Sequence, residues 1–369
     1  MPRACDQCMS RTWLVARMAG HIERARARVD EVLALADDEL IAGVGGRSRD
    51  RVRDELAALD VCEVRARSHA AGLETICRCD PDYPPALRAL SAPPAVLHVA
   101  GGLGRLLELS ATDPVAIVGS RQASDYGLNV ARSLGRSLTV AGIPVVSGMA
   151  LGVDSAAHAG ALEAEGPTVA VLPGSADRPY PASQRLLRRK IVAGGAALSE
   201  LGPGTTVWRW MFLARNRIIA ALAAMTVVVE AGERSGAMVT ARVAREIGRP
   251  VGAVPGRVIS PLAAGANELL ATGACVVRGA QDVLDALFGA GVRLAAPAGG
   301  VGGVGGVGGR GAAPVELRPL LDAIAAGHET TAALARAGFS PDQGFAALAA
   351  LELGGYVRRG AGGRFCVLP

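Results

Sequence analysis

The sequence predicts an α/β protein: an extended Rossmann-like, mostly parallel sheet, with a helical module in front and a winged-helix domain behind. Three observations predict it. From Pro114 onward, short β-branched runs alternate with helical stretches, as in a parallel sheet covered on both faces. Residues 11 to about 70 carry apolar stripes at helical spacing. A Val-Gly-Gly tract at 290–313 detaches a last segment, 314–369, with helical and hairpin patterns of its own.

The front module (1–70) has one stripe from Trp13 and Leu14 to Ile22 and a second through Val29, Val32, Leu33 and Leu40. Gly43-Val44-Gly45-Gly46 and a helix over Asp50–Leu59 follow. A helix, a glycine-rich turn and a helix suit a SAM or helix-hairpin-helix module, whose turn can offer N–H groups to phosphate; a plain helical cap suits the pattern equally. Residues 71–110 form a connector rich in proline (Pro81, Pro84, Pro85, Pro93, Pro94), ending in a strand at Val96–Val99. In the core (111–289) strands are expected at Val115–Val118, Pro144–Ser147, Thr168–Leu172, Ala197–Ser199, Thr226–Glu230, Val251–Val254 and Cys275–Val277. In the tail, helices at Glu316–Ala325 and Glu329–Ala337, a third opened by Ser340-Pro341, and a hairpin around Gly360–Gly363 describe a winged helix.

Of the 369 residues half are hydrophobic and 20% charged, with a net charge of +5. That balance gives a core and favours an anionic partner. The cations are almost all arginine, Lys190 being the sole lysine. Cys5, Asp6 and Cys8 stand where a signal peptide needs an apolar run. No stretch reaches the ~18 apolar residues of a membrane span. A cytoplasmic protein without a membrane partner is expected.

Five of the seven cysteines precede residue 80. Cys5-x-x-Cys8 and Cys77-x-Cys79 could together supply four zinc thiolates. The pairs are far apart in sequence, so the expectation is small apolar residues and no metal.

Chemistry concentrates where strands run into helices. Val118 is followed by Gly119-Ser120-Arg121. Such a loop lies at the carboxyl edge of a doubly wound sheet, where ligands bind. Gly119 permits close approach, Ser120 offers a hydroxyl, and the fork of Arg121 suits phosphate, as does the helix N-terminus behind them. With neither G-x-G-x-x-G here nor G-x-x-x-x-G-K-[ST] anywhere, no nucleotide cofactor is expected. Ser147-Gly148 opens a second such loop, leading to Asp154 as an N-cap. Asp154 and His158, at i and i+4, read as capping and packing, since the elbow of a Ser–His–Asp hydrolase is missing. Ser235-Gly236 opens a third loop.

The run Trp208-Arg209-Trp210-Met211-Phe212-Leu213-Ala214-Arg215-Asn216-Arg217 interleaves rings with cations. Bases stack on aromatic faces while arginines hold phosphates, a pairing suited to single-stranded nucleic acid. At least one ring should be buried; Phe212 is the expected base contact.

Gly119-Ser120-Arg121, Ser147 through His158, Arg215-Asn216-Arg217-Ile218-Ile219-Ala220, Ser235-Gly236 with Thr240-Ala241, Ala253-Val254-Pro255-Gly256, and upstream Tyr83-Pro84 with Pro93-Pro94 together resemble the DNA-processing protein A (DprA/Smf) family over about residues 75–288. The resemblance implies a non-enzymatic homodimer that binds single-stranded DNA and loads RecA recombinase onto DNA entering by natural transformation. It carries DNA contacts to Arg121, Ser147, Gly148, Phe212, Arg215 and Arg217, with Arg209 as a helping basic residue. Leu213-Ala214 stands where the family often has a proline. The alternative is a nucleotide-processing hydrolase of the lysine-decarboxylase-like type. Its P-G-G-x-G-T-x-x-E loop is replaced here by Pro173-Gly174-Ser175-Ala176-Asp177, which lacks the glycine and glutamate.

Overall fold

A computed structural model describes residues 3–290, 314, 316–328, 330–339, 347–348, 350–352, 356–359 and 365–367. Nine strands form one sheet: β1 (Glu74–Cys77), β2 (Val96–Ala100), β3 (Val115–Val118), β4 (Val145–Ser147), β5 (Thr168–Val171), β6 (Ala196–Ser199), β7 (Met225–Val228), β8 (Val251–Ala253) and β9 (Cys275–Val276). Their spatial order is β1-β2-β6-β5-β4-β3-β7-β8-β9. From β6 to β9 every neighbouring pair is parallel, whereas β2 lies antiparallel to both β6 and β1.

The central strands are apolar throughout because both faces are covered. Val115 and Ile117 join a cluster with Leu134 and Ala157, from helices Asp125–Val140 and Val153–Glu163. Ala116 and Val118 join one with Ile218 and Ala241, from helices Arg209–Leu222 and Gly236–Glu246. The order runs outward from β3 to β6 on one side and from β7 to β9 on the other. The crevice at the carboxyl ends of β3 and β7 is therefore the topological switch point, where such sheets bind ligands.

Sequence and structure agree on the core strands to within two residues at each end. The connector holds more order than its prolines suggested. It contains β1 and helices Pro85–Arg88 and Leu103–Ser110. β1 is a four-residue edge strand with two residues buried, too short for its own periodicity to announce it; pairing with β2 makes it a strand.

Six α-helices precede β1. They dock on the core around Trp210, whose buried indole donates from Nε1 to Ala19 O at 3.0 Å. Leu14, Met18, Ile22 and Ile41 pack there with Met211 and Ala214. Residues up to 290 form one compact unit, and the described residues from 314 onward belong to a second. The second has helices Arg318–Ala325 and Thr331–Arg336 and an antiparallel pair, Val357–Arg359 with Phe365–Val367. Leu320, Ile324, Leu334, Leu351 and Phe365 make its core. The tract 291–313, the Ser340-Pro341 helix start and the Gly360–Gly363 turn lie outside the described residues. Among the described residues, no helix is long and apolar enough to cross a membrane.

Candidate nucleic-acid interface

The carboxyl edge of the sheet opens into a cleft of about 600 Å³. Gly119 and Arg121 enter it from the loop after β3, Ala150 from the loop after β4, Asp154 from the first turn of helix Val153–Glu163, and Tyr180 from the loop after β5. Helix Arg209–Leu222 supplies Arg209, Phe212, Arg215 and Asn216, and the next helix supplies Ser235 and Gly236 at its start.

At the mouth, the exposed Arg121 lies over the half-buried Phe212 ring, guanidinium carbon 4.6 Å from its centroid. Tyr180 meets the same ring edge to face, centroids 5.2 Å apart. Cation, ring and ring thus form a continuous surface, 45% of Tyr180 being exposed. It can stack a base and hold a phosphate at neighbouring points. Ser120 braces its own loop: its hydroxyl accepts the Gln122 N–H at 3.1 Å, and its N–H donates to Glu230 O at 2.6 Å.

Deeper in, Arg215 is buried, donating to Val171 O at 2.8 Å and standing 4.0 Å from the equally buried Asp154 carboxylate. Burial pushes the Arg215 pKa down to about 10, against the pull of Asp154. Burial likewise raises the Asp154 carboxyl, although Arg215 opposes it. Arg215 Nε has no hydrogen-bond partner. Together these describe a cation held in the cleft wall with part of its hydrogen-bonding capacity unused. Gly148 makes room for it, since a Cβ there would fall 1.6 Å from Arg215 Nη1.

The aromatic–arginine run starts a helix, Arg209–Leu222, and helical periodicity divides its side chains. Arg209, Phe212 and Asn216 fall on one side; Trp210, Ala214 and Arg217, also spaced by three or four, fall on another. Asn216 donates to Gly236 O at 3.1 Å, joining this helix to the third loop, while Ser235 caps the next helix by accepting the Ala237 N–H. Arg217 corrects the expectation. It is buried away from the cleft, paired with Glu200 at 2.6 Å and donating to Ala92 O at 2.9 Å. Ser147 is corrected too: fully buried, it spends its hydroxyl on Ile117 O at 2.6 Å. Gly148 is also buried and makes space for Arg215 instead of an open contact.

Asp154 is not an N-cap: helix Val153–Glu163 is capped by Gly152, and Asp154 Oδ2 accepts the Ala150 N–H at 3.4 Å. His158 turns to Thr168, Nδ1 to Oγ1 at 2.8 Å, in the core. The helix N-terminus behind Arg121 is already satisfied by protein. Glu230 accepts from Ser124 N at 2.8 Å and from Ser124 Oγ at 2.6 Å, which places a protein carboxylate at this helix start. Sequence reasoning missed two lining residues, Tyr180 and Arg26. Tyr180 was visible as an aromatic between two prolines after a strand, and Arg26 as the centre of the alternating Arg24, Arg26, Arg28 series.

Residues 74–288 match the model of the family described as DNA recombination-mediator protein A. The chain belongs to that family. A DprA relative of Mycobacterium tuberculosis is 48% identical over 184 residues, which cover 50% of this chain and 47% of the relative. The chain thus spans about half the length of that DprA protein. The DNA processing protein DprA of Bacillus subtilis is 35% identical over 224 residues, covering 61% of this chain and 74% of the relative. DprA of Streptococcus pneumoniae superposes with a TM-score of 0.63 at 30% identity, covering 78% of this chain and 99% of that structure. DNA processing protein A of Helicobacter pylori, whose structure is described for its single-stranded-DNA binding mode, gives a TM-score of 0.51 at 33% identity, covering 56% and 92%. The DprA match begins at residue 74, so it takes in all nine strands and the cleft residues other than Arg26, but not the front helices.

Proposed function

We propose that the cleft binds single-stranded DNA, and that the protein is a recombination mediator and not an enzyme. The observation that carries this reading is the Arg121 guanidinium laid on the Phe212 ring at the mouth of the cleft. An exposed planar cation laid on a partly exposed ring suits a polymer that alternates flat bases with phosphates. The described DNA-binding mode of the Helicobacter pylori relative supports it. The loop that would serve a nucleotide hydrolase is instead packed: Ser175 is buried, and Ala176 O is taken by Arg188 at 2.6 Å.

Binding of fluorescent poly-dT tests the proposal. Arg121→Ala should weaken it at moderate salt, and equal affinity would remove the cleft as the DNA site. The mediator role extends the proposal to a homodimer that hands the strand to RecA recombinase on DNA entering by natural transformation. Sedimentation should give a dimer, and RecA should assemble faster on strands pre-bound by this protein. A monomer at micromolar concentration, or no effect on RecA assembly, would restrict the role to DNA binding.

A further inference from the structure

Four cysteines that sequence separates into two distant pairs come together at one point of the fold. The Sγ atoms of Cys5, Cys8, Cys77 and Cys79 all lie within 4.8 Å of one another. Cys8 and Cys79 are 3.7 Å apart, and Cys77 and Cys5 are 3.9 Å apart. We propose that these four thiolates form a tetrahedral zinc site that clamps the front helices to the edge of the sheet.

The spacing decides between metal and disulfides. Four sulfurs at the ~2.3 Å Zn–S distance occupy the corners of a tetrahedron with edges of about 3.8 Å. The separations of 3.7 and 3.9 Å match that edge and far exceed the ~2.05 Å of an S–S bond. The sulfurs also make one cluster, where two disulfides would need only two separate pairs. One all-cysteine tetrahedron takes a soft divalent ion, zinc above all.

The backbone holds the arrangement from both sides. Cys5 precedes helix Asp6–Arg17 and Cys8 lies in its first turn, a Cys-x-x-Cys spacing common in zinc sites. The helix N-terminus favours thiolate there. Cys77 ends β1, and Cys79 sits in the turn that Asp80 N closes on Cys77 O at 2.9 Å. Two hydrogen bonds from main-chain N–H groups tie the halves together: Cys77 N donates to Arg3 O at 3.0 Å, and Cys5 N donates to Cys77 Sγ at 3.4 Å. The latter is the outer hydrogen bond that orients a thiolate ligand. Arg3 then reaches over the turn to Asp80 and Asp82.

The inner side is dry: Cys8 and Cys77 pack with Ala4, Met9, Val64 and Val96. Four thiolates gathered at one point need a divalent cation at their centre to supply the compensating charge. The family match begins at residue 74, so the site joins a strand of the matched core to a helix in front of it. Its ligands close a loop spanning 72 positions from Cys5 to Cys77.

Metal analysis of the full chain, expressed with zinc in the medium and purified with reductant, tests the site. One zinc per chain is expected, surviving desalting. Cobalt substitution should give the intense thiolate-to-cobalt absorption and tetrahedral d–d bands of a four-sulfur site. Cys5→Ser/Cys79→Ser removes one ligand from each pair and spares the buried Cys8 and Cys77; it should lose the metal and lower the thermal midpoint. Reduced wild type without bound metal would overturn the proposal, as would iron in place of zinc, peptide mapping that finds the pairs oxidised, or a double variant that keeps its full zinc. The wild-type measurements decide even if the variant does not fold.

Discussion

Arg121 and Phe212 lie 91 positions apart in the sequence, yet the guanidinium carbon of one stands 4.6 Å from the ring centroid of the other. Neither residue alone makes a site. The loop after β3 supplies the cation and the start of helix Arg209–Leu222 supplies the ring. Their contact restricts two side chains that would otherwise rotate more freely, so in the proposed binding mode a strand would meet a prepared surface and less ordering would be needed.

Arg121→Ala should reduce poly-dT affinity roughly tenfold, or about 1.4 kcal/mol, with little change in the urea midpoint. The side chain is exposed, so its loss empties no core. If it contacts one phosphate, the slope of log K against log salt should become shallower by about 0.7. Titrations at three or four salt concentrations measure both quantities. An unchanged slope with lowered affinity would mean that Arg121 acts by holding Phe212 and not by touching phosphate.

Gly148→Ala tests whether Arg215 must keep its position. The added methyl would fall 1.6 Å from Nη1, so the guanidinium has to move and its 2.8 Å bond to Val171 O breaks. Overpacking of this kind typically costs about 1–3 kcal/mol. Both the urea midpoint and poly-dT affinity should fall. Wild-type values for both would show that the wall tolerates displacement of Arg215.

The core strands were legible because a parallel sheet covered on both faces leaves a continuous apolar signature, as in Val115–Val118. The loops that follow them were legible for the same reason: the end of each strand marks its place. The facing of individual arginines was not. Arg215 and Arg217 sit two apart, which puts them on one side of a strand but on opposite sides of a helix. The run Trp208-Arg209-Trp210 alternates like a strand, so its true period emerged only when the helix was seen. Tyr180 and Arg26 reach the cleft from segments with no local ligand pattern. The two cysteine pairs stood out in the sequence, but their convergence did not, because β1, which carries Cys77, owes its existence to pairing with β2.

Arg217→Met should separate folding from binding. Its guanidinium is buried, with Glu200 at 2.6 Å and Ala92 O at 2.9 Å. Removing it leaves Glu200 without its partner at a site where only 12% of that side chain is exposed. Breaking a buried pair in this way costs about 3–5 kcal/mol. The urea midpoint should drop sharply, while the folded fraction keeps wild-type affinity for poly-dT. Lost affinity at full stability would return Arg217 to the DNA surface.

Two buried histidines should make the protein acid-sensitive before its carboxylates titrate. Burial holds His158 down at about 3 and His98 down at about 4, below the ordinary 6.5. The Thr168 hydroxyl donates to Val145 O, so it accepts from His158 Nδ1; Nε2 is left buried without a partner to receive a proton. The folded chain therefore refuses protons that the unfolded chain accepts below pH 6.5. Stability contributed by the neutral rings is complete above that pH and declines as pH falls toward 4, by up to about 1.4 kcal/mol per pH unit for each ring. Urea midpoints at pH 7.5, 6.0 and 5.0 should fall in that order. Replacing His158 with Gln keeps a donor toward Thr168 and removes the titrating group, so it should flatten the profile by about half. A profile just as steep in that variant would place the acid sensitivity elsewhere in the chain.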